Sequence, residues 1–122
     1  MISFWLPFPP SVNEMFLNNK GRGKGRVLST FYRAWKIEAG WMLKTQKIQP
    51  LIGPFKMEIL LSDARNGDCD NRIKAVSDLL VSNGIVQGDQ KKYMRGVSIE
   101  WAEIADCVVR LHSIPLVVLA ES

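Results

Sequence analysis

Apolar and polar positions alternate in short runs at both ends and in the middle of the chain, and fall at helical spacing in two longer stretches between. Ile2, Phe4 and Leu6 share one face of a strand running from Ile2 to Leu6. Phe55, Met57, Ile59 and Leu61 alternate with Lys56, Glu58 and Ser62, which predicts a strand with one buried face. Two more strands follow, one from about Tyr93 to Trp101 burying Val97, Ile99 and Trp101, the other from about Asp106 to Ile114 burying Cys107, Val109 and Leu111. On that last strand His112 falls with Arg110 on the outer face, as a surface residue. Ser29 or Thr30 can cap a helix reaching about Lys47. Its apolar stripes read as Phe31, Trp35, Ala39 and Met42, with Ala34, Ile37 and Trp41 beside them. Arg33, Lys36, Lys44 and Lys47 converge on the remaining side around Gly40. A second helix takes Asp70 as N-cap, Asn71 to Ser82 as body and Asn83-Gly84 as stop. Ile73, Val76 and Leu80 face inward on it, while Asp70, Lys74 and Asp78 lie opposite at i, i+4 steps. Ile85-Val86 reads as a short extended piece. The element order predicts an α+β (mixed α/β) fold, one small domain over residues 1–122, with antiparallel pairing toward the C-terminus.

The segments between these elements carry their own signals. Pro7-Phe8-Pro9-Pro10-Ser11-Val12-Asn13 cannot continue a strand ladder, because proline lacks the N–H and fixes φ, so it leaves the sheet as a stiff turn. Asn18 to Arg26 alternates glycine with Lys20, Arg22, Lys24 and Arg26. It reads either as a solvated hairpin tip or as a phosphate-gripping arm that orders on nucleic acid. Ser62 to Gly67 is a polar loop, and Leu116 to Leu119 an apolar run suited to core or to a subunit contact. The net charge of +4 favours a polyanionic partner. Cys69 and Cys107 give no disulfide framework, and with His112 alone beside them no zinc site. No stretch reaches the ~18 apolar residues of a membrane span. The prolines interrupt any signal-peptide core, so a cytoplasmic location is expected.

The chemistry concentrates in Asp68-Cys69-Asp70-Asn71-Arg72-Ile73-Lys74, followed beyond the helix by Asp89. A hard cation such as Mg²⁺ takes oxygen ligands, usually one or two carboxylates with water and phosphate. A lone D-x-D is equally compatible with a cap and a solvated turn, and Lys74 with Asp78 can be a plain surface ion pair. Cys69 is a small filler in this reading, since no base accompanies its thiol. The combination says more. Asp89 is followed by Lys91, Lys92 and Arg95, and the basic loop and helix face precede the acids. Carboxylates amid such a surface repel phosphate unless a metal reverses their sign.

The opening strand with Leu6-Pro7-Phe8-Pro9-Pro10-Ser11-Val12-Asn13, then the D-x-D-N-x-x-K segment from Asp68 to Lys74, then Asp89, resembles the RusA family of Holliday-junction resolvases over nearly the whole chain. That resemblance implies a RusA-like mixed sheet packed by two main helices. It implies metal-binding catalytic carboxylates at Asp68, Asp70 and Asp89, with Lys74 as catalytic lysine. It also implies Mg²⁺ (or Mn²⁺) as cofactor and a homodimer that nicks opposed strands of four-way junction DNA. Lys20, Arg22, Lys24, Arg26, Arg33, Lys36, Lys91 and Lys92 are the expected DNA contacts. Gly88 departs from the family pattern, which has a further acid there, and the end from Pro115 onward does not match. A branched-DNA-binding module without cleavage and a flap or fork nuclease are the alternative readings; chelator sensitivity and a substrate panel separate them.

Overall fold

A computed structural model describes residues 1–18 and 26–115. Lys20, Arg22, Lys24 and the run Leu116–Leu119 lie outside the described residues. Among the described residues six strands and three α-helices follow in the order β1 (Ile2–Leu6), α1 (Val12–Met15), β2 (Phe16–Asn18), β3 (Arg26–Leu28), α2 (Thr30–Thr45), β4 (Phe55–Ser62), α3 (Ile73–Ser82), β5 (Met94–Ala102) and β6 (Cys107–Ser113). β2 and β3 pair antiparallel as a small separate ribbon on either side of the basic loop. The main sheet has the order β1-β6-β4-β5, antiparallel at β1/β6 and β6/β4 and parallel at β4/β5. This is a small single domain of mixed α+β architecture.

Alternation explains the strands at the centre of the sheet. Phe4, Leu6, Met57, Ile59, Leu61, Cys107, Val109 and Leu111 face inward and join one core with α2 and α3. Burial pushes the Cys107 thiol up to about 12, so it stays protonated and acts as a small apolar filler. The other face of the sheet carries Lys56, Glu58, Arg110 and His112, and His112 is exposed as its pattern implies.

Several elements differ from the pattern-based expectation. β5 lies beside β4, not β6, and runs parallel to it; parallel strands need a crossover, and α3 supplies it. β5 is an edge strand among the described residues, so Val97 is 40 % exposed where alternation implies burial. Ile85 and Val86 are buried, but in a turn, not an extended piece.

The buried stripe of α2 is Tyr32, Trp35, Ala39 and Leu43: Trp35 and Ala39 face inward as expected, but Phe31, Ile37 and Trp41 are 55 %, 65 % and 62 % exposed. Tertiary hydrogen bonds fix that rotation. The Ser29 hydroxyl caps α2 by accepting from the Tyr32 N–H, and donates to the Glu14 carbonyl. Trp35 Nε1 donates to the Pro7 carbonyl at 3.0 Å. At the far end the Gln46 side-chain amide accepts from the Trp5 N–H and donates to the Trp5 carbonyl, standing in for a strand partner on the edge of β1. The helix stops at Thr45, and Lys47 beyond it adopts a positive φ of 53°.

α3 keeps its expected inner face, with Val76 and Leu80 fully buried and Ala75 and Leu79 beside them. Its stop is as expected too: Asn83 is the C-cap and Gly84 follows at φ +70°.

The rotation of α2 is directly testable. Leu43→Ala is expected to lower unfolding free energy by about 2–5 kcal/mol in urea titrations. Trp41→Ser is expected to change it by no more than about 0.5 kcal/mol. The reverse ranking would restore the other stripe.

Candidate functional site

The acidic segment leaves the C-terminal end of β4, and its shape depends on an arginine. Asp70, Asn71 and Arg72 form a single 3-10 turn with Cys69 as its N-cap, and α3 begins only at Ile73. Asp70 is therefore inside the turn and is not the helix cap that the sequence implies. The cause is Arg72, which points inward and is buried at 8 % exposure. Its Nη1 donates to the Pro9 carbonyl at 2.7 Å and lies 3.4 Å from the Glu14 carboxylate. Nη2 reaches the Asn66 carbonyl at 3.4 Å. The guanidinium lies 4.8 Å from the centre of the Phe8 ring, and Arg65 lies 5.0 Å from the same ring. Phe8 in turn stacks on Trp101 of β5.

Gly67 completes the turn. Its φ of +111° suits glycine, and a Cβ there would fall 2.7 Å from Arg72 Nη2. Glu14 closes the other side through a capping box with Ser11. Hydrogen bonding from the Ser11 backbone, aided by Arg72, holds its carboxyl below the usual range against the opposing effect of burial. The proline-rich segment and the acidic segment are thus clamped together by one side chain. Arg72 had no expected role, although its spacing to Val76 and Leu80, at i+4 and i+8, placed it on the buried face.

Asp68 and Asp70 are both exposed on this turn, with Cys69 half-buried between them against the core. Lys74 is exposed one helical turn further on, its Nζ 3.3 Å from Asp78 Oδ2. Asp78 also faces α2. Burial raises the Tyr32 phenol pKa, and the nearby Asp78 charge adds to it, while Lys36 Nζ sits 5.3 Å over the Tyr32 ring. Lys74 and Lys36 are thus linked across the two helices through Asp78 and Tyr32. Asn71 Oδ1 and Arg72 Nε are buried without hydrogen-bond partners in the same turn.

Asp89 is exposed elsewhere. The turns after α3 return to the start of β4, where the Leu51 N–H donates to the Ile85 carbonyl, the Gly53 N–H to Gln87 Oε1 and the Phe55 N–H to the Tyr93 carbonyl. β4 and β5 are parallel, so Asp68 and Asp70 follow the last residues of β4 while Asp89 precedes the first of β5. The length of α3, about 15 Å for a helix of ten residues, separates the two ends. Among the described residues no group of three or more His, Cys, Asp or Glu side chains within the chain is placed to hold a metal ion. The donor chemistry of Asp68 and Asp70 does suit a hard divalent ion, which needs one or two carboxylates and completes its shell with water and phosphate oxygen.

A scan against family models matches endodeoxyribonuclease RusA over residues 7–110. The chain belongs to the RusA endodeoxyribonuclease family. No curated protein matches it closely. The match spans both clamped segments and the crossover. It assigns the chain to a family of DNA-cleaving enzymes.

Gly88, where the resemblance implies a further acid in the family pattern, sits against packed side chains. The residue is buried, and a Cβ there would lie 2.8 Å from Tyr93 Cδ2 and collide with the Gln90 side chain. A larger residue at that position would have to displace the Tyr93 ring as well as the Gln90 side chain. The expected DNA contacts are placed variously. Lys91 and Lys92 are exposed beside Asp89, with Lys92 over the Tyr93 ring at 4.9 Å. Arg33 is exposed on α2, and Arg26 begins β3. Lys36 and Lys44 border a shallow depression with Gly40, where α2 passes Asn83 at the end of α3. Lys47 lies beyond the helix. Among the described residues no helix is long and apolar enough to cross a membrane.

Replacing Arg72 by Met leaves the Pro9 carbonyl without its donor. The expected cost is about 1–3 kcal/mol of unfolding free energy in urea titrations. Unchanged stability would mean that the turn is held by something else.

Proposed function

We propose that this chain is a Mg²⁺-dependent endonuclease that resolves four-way DNA junctions as a homodimer, nicking two opposed strands. The observation that carries this reading is the exposed pair Asp68 and Asp70 on a turn clamped from beneath by Arg72, with Lys74 one helical turn away. Asp68 and Asp70 would hold the divalent ion, Mg²⁺ or Mn²⁺, together with Asp89. The ion when bound supplies Lewis-acid polarisation of a phosphoryl oxygen and acidifies water. Lys74 adds a positive charge beside the scissile phosphate, where transition-state charge develops, and Asp78 keeps its ammonium oriented. Exposed Arg33, Lys91 and Lys92, with Lys36, would hold the flanking backbone by charge. The loop with Lys20, Arg22, Lys24 and Arg26 would add further phosphate contacts.

The separation of Asp89 from Asp68 and Asp70 within one chain gives the homodimer a chemical purpose. In a two-fold pair each residue that contacts a given patch is contacted in return. Asp89 of one copy would then complete the acidic site of the other, and two complete sites would stand opposite two equivalent strands. Dimerisation and metal binding are linked in this arrangement.

Incubation with a synthetic four-way junction tests the activity. Cleavage is expected with Mg²⁺ and none with a chelator, while Asp70→Asn is expected to bind the junction at least as tightly and not to cut it. Wild-type rates for that variant would exclude Asp70 as a ligand. Preferential cutting of flaps or forks in the same panel would change the substrate.

Mixing tests the shared site. Asp70→Asn and Asp89→Asn are each expected to be inactive alone. Mixed and allowed to exchange subunits, they should recover nicking of one strand per junction, because half of the sites in a mixed dimer carry all three carboxylates. No recovery despite demonstrated subunit exchange would place the whole site within one chain.

A further inference from the structure

The sheet face turned away from α2 and α3 holds a second cationic feature, apart from the acidic turn. Lys56 stands opposite His112 across β4 and β6, and Glu58 opposite Arg110. Glu58 uses both oxygens locally, Oε2 at 3.5 Å from Arg110 Nη1 and Oε1 at 3.3 Å from His112 Nε2. Within this group lies a depression of about 380 Å³ bordered by Lys56, Glu58, Arg95, Ser98 and His112, with Val97 as its exposed apolar side. Neither Lys56 nor Arg95 has an acidic partner among the described residues.

Two features of the backbone arrange these cations. Phe55 pairs with Met94 but Lys56 pairs with Gly96, so Arg95 is an extra residue in β5 and is turned out of the regular ladder. Its Nη1 donates to the Lys91 carbonyl at 3.1 Å, which ties it to the turn that carries Asp89. Gly96 offers no side chain, and the Lys56 stem lies over that gap, its Cγ 3.7 Å from where a Cβ would be. The cations are thus positioned by the strands and face outward without carboxylate neutralisation, Glu58 being already engaged.

We propose that this depression binds a backbone phosphate of the DNA, with the adjoining deoxyribose against Val97 and the Lys56 stem. An ammonium, a guanidinium and a hydroxyl suit a phosphodiester. Its lining holds no Phe, Tyr or Trp ring, and the His112 imidazole is engaged by Glu58, so it lacks the broad stacking platform that an unpaired base would use. The inference rests on the DNA substrate of the proposed function and extends it. The strand passing Asp89, Lys91 and Lys92 would continue over the edge of β5 onto the open sheet face.

The test is the salt dependence of junction and duplex binding in chelator, where no cleavage interferes. The double variant Lys56→Gln, Arg95→Gln is expected to weaken binding and to lower the slope of log Kd against log salt by about 0.9 for each phosphate that is no longer neutralised. Ser98→Glu keeps both cations and adds a repelling carboxylate; it should weaken binding about tenfold or more. Melting curves accompany both variants, and if the double variant is unfolded the Ser98→Glu result decides. An unchanged slope in a folded double variant, or unchanged affinity in Ser98→Glu, overturns the proposal. If inorganic phosphate raises the wild-type melting temperature but the variants bind DNA normally, the depression is a site for small free anions and the backbone assignment is overturned. Failure of the wild-type protein to bind either DNA would overturn the proposed function along with it. Normal wild-type binding with unaltered variants removes only this site.

Discussion

One buried guanidinium determines where the acidic turn stands. Burying a charge is costly unless its donors are met, and Arg72 meets most of that cost with the Pro9 carbonyl, the Glu14 carboxylate and the face of Phe8. Those partners come from the proline-rich segment, whose stiffness keeps them in place. Asn66 and Gly67 contribute from the other side. With Arg72 drawn inward, the residues on either side of it have no choice of direction. Asp68 and Asp70 remain at the surface, the chain tightens into a 3-10 turn, and α3 starts in a fixed orientation that presents Lys74.

The interior of the sheet is legible from alternation because β4 and β6 are each flanked by two strands and covered on one face by helices. Their apolar sets, Met57-Ile59-Leu61 and Cys107-Val109-Leu111, have a single consistent assignment. α2 offers no such clarity. Apolar residues occupy most of its circumference, so hydrophobic spacing cannot choose between Phe31 or Ile37 and Tyr32 or Leu43. Hydrogen bonds donated by Ser29, Trp35 and Gln46 to distant backbone carbonyls make that choice. β5 misleads for a related reason: as an edge strand it buries little, and nothing local states that its neighbour is β4.

Topology also conceals the arrangement of the site. Asp68, Asp70 and Lys74 are neighbours in sequence and remain neighbours on the turn. Only chemistry groups Asp89 with them. Once β4 and β5 are parallel, a single crossover must carry the chain from one end of the sheet to the other, so the third carboxylate falls at the far end of α3. The path of the chain, not residue type, separates them, and no property of Asp89 itself could have announced it.

The clamp also has a consequence for folding. Arg72 and Pro9 are 63 positions apart, and β1 must reach across nearly the whole chain to pair with β6. Contacts of such long sequence separation require closure of large loops before they reward the chain, and they belong to slow, late steps of folding. The acidic turn takes its final form only when the first and last parts of the domain have met. A partly synthesised or partly folded chain therefore carries the carboxylates without the geometry, and under the proposed function the capacity to cut DNA would arise together with the native state.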